Sequence, residues 1–321
     1  MKEIAITEIE QIRIGNAQNR EAATGCTVIL CEEGAAAGVD VRGGGPASRE
    51  TQLLNPLAAA DKIHAVLLSG GSAFGLDAAG GVMKYLEERG VGVDTGVAKV
   101  PLVCTSCLFD LQIGSKDIRP DREMGYLACS GDYRDGNYGA GTGATVGKFK
   151  GTEFMMKTGI GSFALQEGPL KIGAIAAVNA LGDVFDYQTG EQIAGLLNEE
   201  KNGLRSTEKE MYRQCLEVRD LFTGNTTLGA IITNADFDKA QMNKIAAMAQ
   251  NGYARSIRPV HTQADGDTVY ALSTGEVTAD LNAVGTLAAQ VMAEAIRSAV
   301  FSAESAYGLP CAADFMKKGT V

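Results

Sequence analysis

A chain of 321 residues, 45% hydrophobic and 21% charged, has room for one large domain or two ordinary ones with a real core. Its 40 glycines, about 12% of the residues against a background of roughly 7%, follow no G-X-Y period and alternate with Val, Ile and Leu runs, which excludes collagen and disorder. A net charge of −10 without a Lys/Arg block lacks the footprint for nucleic acid or an anionic membrane, and two histidines, His64 and His261, leave little for a metal site or a Ser-His-Asp triad.

The N-terminal MKEIAITEIEQIRIG alternates polar and apolar residues like a strand and carries no export signal. No run of 18 apolar residues is present, so no membrane span is expected. Seven scattered cysteines fit a reducing compartment, and a soluble cytoplasmic protein is expected. Cys104 and Cys107 form a lone CxxC with no second pair to complete a zinc site.

Strands are predicted at 12–14, 26–31 and 39–41, each closed by Gly, Asn or Asp, before the breaker Gly43-Gly44-Gly45-Pro46. The apolar run HAVLL at 64–68 reads as a buried strand entering Ser69-Gly70-Gly71-Ser72. A helix follows over 76–89, stopped by Gly90. Residues 104–144 read as loop, and strands return at 162–165 and 171–178. The segment 191–221 is polar and partly helical, with 198–210 as a solvated linker. An apolar strand at 227–233 then begins abruptly. Helix 239–250, strand 256–260, an Asp265-Gly266-Asp267 hairpin turn, strand 268–272 and an Ala-rich helix over 278–300 complete an α+β layered sandwich.

The glycine loops bear no GxxxxGK[ST] signature. Gly70, Gly71 and Ser72 lie between a strand and a helix, either as a tight turn or as backbone donors for a substrate carboxylate or oxyanion. Thr226 stands where the charged segment ends and the buried strand begins. A cut before it would give one residue both nucleophile and base, because an α-amine with a pKa near ~8 can take the hydroxyl proton at neutral pH. The same hydroxyl could make the cut by attacking the Asn225 carbonyl. The residues alone leave this open beside a plain Asn-Thr-Thr turn.

Five runs, VDVRGGGP at 39–46, VLLSGGSAFGLD at 66–77, GAGTGAT at 139–145, AVNALGD at 177–183 and NTTL at 225–228, occur in order over most of the chain. With them the sequence resembles the self-cleaving L-aminopeptidase/D-Ala-esterase-amidases and β-peptidyl aminopeptidases, and most of all their nylon-oligomer-hydrolase subgroup. The resemblance implies a single domain over 1–321, folded as a four-layer α/β/β/α sandwich like the N-terminal-nucleophile hydrolases, with a connectivity shared with ornithine acetyltransferase. It implies a cut into 1–225 and 226–321, a homotetramer of the cut units, and no metal or cofactor. By the same resemblance Thr226 is the nucleophile, Asn179 donates an amide N–H to the oxyanion, and Lys148 stands where aminopeptidase members carry tyrosine. Asp265 and Asp267 orient the nucleophile, and Gly70, Gly71, Ser72, Tyr138 and Gly139 line the substrate site. The expected activity is hydrolysis of a small peptide or ω-amino-acid amide through an acyl-threonine. The alternatives are an acyltransferase of the ornithine-acetyltransferase kind and a non-catalytic metabolite-binding protein.

Overall fold

Strand alternation in this chain feeds three separate cores, and the layers follow from that. The computed structural model describes residues 1–216 and 224–316. The strands of its largest sheet system are β1 (Lys2–Ile4), β2 (Arg13–Asn19), β3 (Thr24–Val41), β4 (Ala47–Arg49), β5 (Ile63–Ser69), β6 (Val103–Cys107), β7 (Ile160–Glu167), β8 (Leu170–Ala177), β9 (Leu228–Ala235) and β10 (Thr268–Val277). They are hydrogen-bonded in the order β1-β7-β8-β9-β10-β3-β5-β6-β4, with β2 also on β3. The pairs β9–β10 and β5–β6 are parallel and the other pairs in this path antiparallel. The 18-residue β3 belongs to two sheets. Residues 36–41 pair with β10, residues 24–30 pair with β2 and β5, and the register shifts between Leu30 and Ala35.

The longer α-helices are α1 (Ala78–Glu87), α2 (Arg122–Ala128), α3 (Thr207–Arg213), α4 (Lys239–Ser256) and α5 (Leu281–Phe301). On β9, Leu228, Ala230 and Ile232 point into a core shared with Val66 and Leu68 of β5, between the two sheets. Ile231 points the other way, onto Ile245 of α4 and Ile296 of α5. On β5, Ala65 and Leu67 face Val82 and Leu86 of α1. The result is α4/α5, sheet, sheet, α1/α2: the expected four layers. Among the described residues no helix is long and apolar enough to cross a membrane.

Several sequence expectations change. The strands read at 26–31 and 39–41 are one strand, because Gly34, at φ 81°, bulges it without ending it. The loop read at 104–144 contains most of β6 and all of α2, which Asp121 caps through the Met124 N–H at 2.9 Å. Gly125 inside that helix hides the pattern. It is there because a Cβ would lie 2.0 Å from the Ala78 carbonyl oxygen of α1. The segment 198–210 is no solvated linker: Thr207 is buried, giving its N–H and hydroxyl to Asp183 at 2.7 and 2.6 Å, and buried Glu210 holds Arg205 at 2.8 Å and Arg213 at 2.6 Å. The part of the charged segment at 217–221, together with Phe222 and Thr223, lies outside the described residues. The Asp265-Gly266-Asp267 turn joins no hairpin, since β10 pairs with β9 and β3. Cys104 and Cys107 are buried on β6, and burial pushes both thiols far above their ordinary range.

One buried cation ties the fold to its functional end. Lys157 is fully buried and its Nζ donates to the carbonyls of Gly141 at 2.9 Å, Ala144 at 3.2 Å and Thr158. It thereby fixes the glycine run that leads to Thr145. Burial lowers its pKa to about 7, against the pull of the Asp110 charge. Below that pH the native state carries a buried charge. Between about 7 and the unfolded value near ~10.4, only the unfolded chain keeps the proton, so stability rises with pH. The stability gap between wild type and Lys157→Met should therefore move in favour of wild type by up to about 1.4 kcal/mol per pH unit over that window. Urea unfolding of both proteins at pH 7, 8 and 9 measures it, and a constant gap refutes it.

Candidate functional site

The site forms where four strand ends meet. The β8–β9 register, Ala177 opposite Leu228, continues past both strands, so that the Thr226 N–H donates to the Asn179 carbonyl at 2.8 Å. The parallel β9–β10 register, Leu228 opposite Thr268, continues to a bridge between Asn225 and Asp265. Thr226 therefore lies beside Gly266. A Cβ on Gly266 would come within 2.5 Å of Thr226 Oγ1, so only glycine lets the turn approach so closely. Beyond the end of β3 the triple glycine packs on the same turn: the N–H of Gly45 donates to the Asp265 carbonyl at 2.8 Å and that of Gly44 to the Thr262 carbonyl at 3.1 Å.

Around Thr226, itself buried, the polar groups are densely paired. Its hydroxyl hydrogen-bonds the Asn225 carbonyl oxygen, which also accepts the Gly266 N–H at 2.9 Å. The Asn225 N–H and side-chain amide both reach the Ala264 carbonyl at 3.2 Å. Asn179 is completely buried, and its orientation is determined by its partners. Oδ1 accepts from Lys148 Nζ at 2.6 Å and the Thr145 N–H at 3.1 Å, which leaves Nδ2 to donate to the Phe109 carbonyl at 3.0 Å, with no acceptor among the described residues for its second hydrogen. Lys148 also reaches the Asn179 backbone carbonyl at 3.4 Å, the acceptor of the Thr226 N–H. Burial lowers the Lys148 pKa to about 7, although the Asp265 and Asp110 charges pull it upward.

The two aspartates do different things. Asp267 accepts the Thr227 N–H at 2.9 Å on one oxygen, and the His261 N–H at 3.0 Å on the other, where His261 Nδ1 also lies at 2.9 Å. It fixes the backbone just after Thr226. Asp265 accepts from the Thr262 hydroxyl at 2.5 Å, the Thr262 N–H at 3.0 Å and the Leu181 N–H at 3.3 Å. Burial, then the neighbouring Asp267 charge, raises its pKa.

Thr226, Asn225, Asn179, Lys148, Asp265 and Asp267 thus form one cluster. Gly70, Gly71 and Ser72 lie outside this cluster, against Asp110 and Leu108. The Gly71 N–H donates to the Asp110 carboxylate at 2.7 Å and the Ser72 N–H to the Leu108 carbonyl at 2.9 Å, so the anion held by this loop is the chain's own. Tyr138 and Gly139 pack elsewhere: the Tyr138 ring lies 5.0 Å below the Arg20 guanidinium, and the Gly139 N–H donates to Gln18 Oε1 at 3.0 Å. Sequence reasoning missed Phe109, Asp110, Thr145, Thr262 and His261, which anchor the cluster. Asp110, buried and raised to about 6 by that burial, had one signal: a lone acid in the apolar run Leu108 to Leu111. Thr145 and Phe109 contribute backbone groups, which no residue type announces.

Against known proteins, residues 5–311 match peptidase family S58. An uncharacterised aminopeptidase of Mycobacterium leprae is 38% identical over 95% of this chain and 92% of its own. A 6-aminohexanoate-oligomer endohydrolase of a Kocuria species is 30% identical over 90% of this chain and 83% of its own. The structure of the L-aminopeptidase D-Ala-esterase/amidase from Ochrobactrum anthropi, described as a variant of the Ntn hydrolase fold, superposes with a TM-score of 0.68 at 17% identity, over 95% of this chain and 88% of that one. The fold is therefore of that Ntn-hydrolase type, the activity that of a peptidase-class amide hydrolase, and the chain belongs to peptidase family S58.

Proposed function

We propose that this hydrolase processes itself between Asn225 and Thr226 and then uses the freed Thr226 as its nucleophile on small peptides or amides. One observation carries the reading: the Thr226 hydroxyl is held on the carbonyl of the preceding residue, and that carbonyl is held by the Gly266 N–H at 2.9 Å. Attack of Oγ1 on the Asn225 carbonyl carbon puts negative charge on the oxygen that Gly266 already binds. Collapse breaks the C–N bond, the Thr226 nitrogen takes the hydroxyl proton, and an ester remains. Water then opens it to give the fragments 1–225 and 226–321.

In the cut enzyme the Thr226 α-amine accepts the proton of its own hydroxyl as Oγ1 attacks a substrate carbonyl, and passes it to the leaving amine. Thr226 N and Lys148 Nζ share the Asn179 carbonyl, at 2.8 and 3.4 Å, so a charge on Lys148 disfavours protonation of the amine and keeps it neutral, free to take the hydroxyl proton. The remaining Asn179 Nδ2 hydrogen is available for the oxyanion. Asp267 keeps the Thr226–Thr227 backbone in place, and Asp265 offsets the Lys148 charge. Nucleophile, base and oxyanion donors all come from the chain. Action in the cytoplasm, which the cysteine usage supports, and assembly of the cut units into a homotetramer, which the family resemblance supports, are part of this proposal.

Denaturing mass spectrometry of the wild type should show the two fragments. Thr226→Ala should remain one intact, inactive chain, while Thr226→Ser should still cut itself. An intact wild-type chain, or an active Thr226→Ala variant, refutes the reading. Asn179→Ala, assayed per cut chain, should lower kcat by about 100- to 1,000-fold, the effect of losing one oxyanion donor. A change below about threefold would remove Asn179 from that role.

A further inference from the structure

The seat that Asn225 occupies is more elaborate than a scissile bond requires. Its N–H is held by the Ala264 carbonyl at 3.2 Å and its C=O by the Gly266 N–H at 2.9 Å, which is a one-residue parallel bridge to Asp265. The residue before it, Gly224, lies against the Phe109 ring so closely that a Cβ would meet Phe109 Cγ at 2.1 Å. From these contacts we infer that the Asn225 seat is the acyl-side substrate subsite of the cut enzyme, built for an α-aminoacyl residue whose nitrogen and carbonyl bridge Ala264 and Gly266. The inference rests on the self-processing reading above and specifies its substrate.

The chemical reason is that the two esters are the same group on the same atom. Self-cleavage leaves the Asn225 carbonyl on Thr226 Oγ1, and catalysis leaves a substrate carbonyl there. In catalysis the C–Oγ1 bond forms and the substrate C–N bond breaks. The departing amine carries off the hydroxyl proton, and water then restores the hydroxyl and releases the acid. Both esters present their carbonyl oxygen to the same surroundings, including the Gly266 N–H. The cut itself clears the seat: it creates a carboxylate on Asn225 beside the Asp265-Gly266-Asp267 turn, and like charges favour its departure. What remains is one backbone acceptor and one backbone donor at the spacing of an α-amino acid. A neutral N–H suffices for the acceptor, and the Phe109 ring can take a group attached to that nitrogen. An amine at the far end of a six-carbon acyl chain cannot make the bridge.

The test uses the cut wild-type enzyme and four p-nitroanilides: L-alanyl, N-acetyl-L-alanyl, propionyl and 6-aminohexanoyl. The first two should exceed the last two in kcat/KM by about tenfold, the effect of one hydrogen bond made or lost. Equal rates for propionyl and N-acetyl-L-alanyl overturn the subsite, and so does a preference for 6-aminohexanoyl. A fast L-alanyl with a slow N-acetyl-L-alanyl substrate also overturns it, by showing that a charged amine is read instead. Mass spectrometry of the same preparation separates the two readings. Cut chains with a flat ranking sink the subsite alone, whereas intact chains inert on all four sink the subsite and the self-processing reading together.

Discussion

The register of one strand governs this molecule. β9 pairs antiparallel with β8 and parallel with β10, and both registers run on past the strand's first residue. The antiparallel side brings the Asn179 carbonyl to the Thr226 nitrogen, and the parallel side brings the Ala264–Gly266 backbone to Asn225. A slip by one residue would turn every β9 side chain to the opposite face, exchanging Ile231 with Leu228 and Ile232 between two cores. Because β9 is buried on both faces, the register that satisfies packing also sets the geometry of the site.

The second constraint is buried charge. Lys148, Asp110, Asp265 and Asp267 are all withdrawn from water within one small region. Isolated, each would be costly to bury. Here Lys148 faces Asn179 and feels the Asp265 and Asp110 charges, while backbone and hydroxyl donors satisfy the carboxylates. This network holds Asn179 in one orientation. It also sets three groups with displaced pKa values, Lys148, Asp110 and Asp265, in the cluster around Thr226, a common property of catalytic sites.

Local pattern made some of this readable. The apolar run of β9, the helical stretch of α4 and the Ala-rich α5 each announce themselves in the sequence. Other elements were hidden where a tertiary contact overrode the local signal. Gly34 splits the pattern of β3 without ending it, because β2, β5 and β10 supply partners on either side of the bulge. The polar stretch before α3 looks like linker because its buried members, Thr207 and Glu210, are bound by Asp183 and by Arg205 and Arg213, residues outside any short window. The Asp-Gly-Asp turn looks like a hairpin since turn chemistry does not say which strand its exit joins.

By itself the sequence determined the α+β layering and the scarcity of histidine that steers chemistry away from a conventional triad, while its family resemblance pointed to Thr226, Asn179, Lys148, Asp265 and Asp267, which the fold gathers into one cluster. The tertiary structure alone decided what joins them. Gly266 and Ala264 act through backbone groups, Phe109 through a carbonyl and a ring against Gly224, and Asp110 through the loop that holds its carboxylate. A sequence displays side-chain chemistry, but a peptide N–H or C=O is the same at nearly every position. Only strand register and chain path decide which of them faces Thr226.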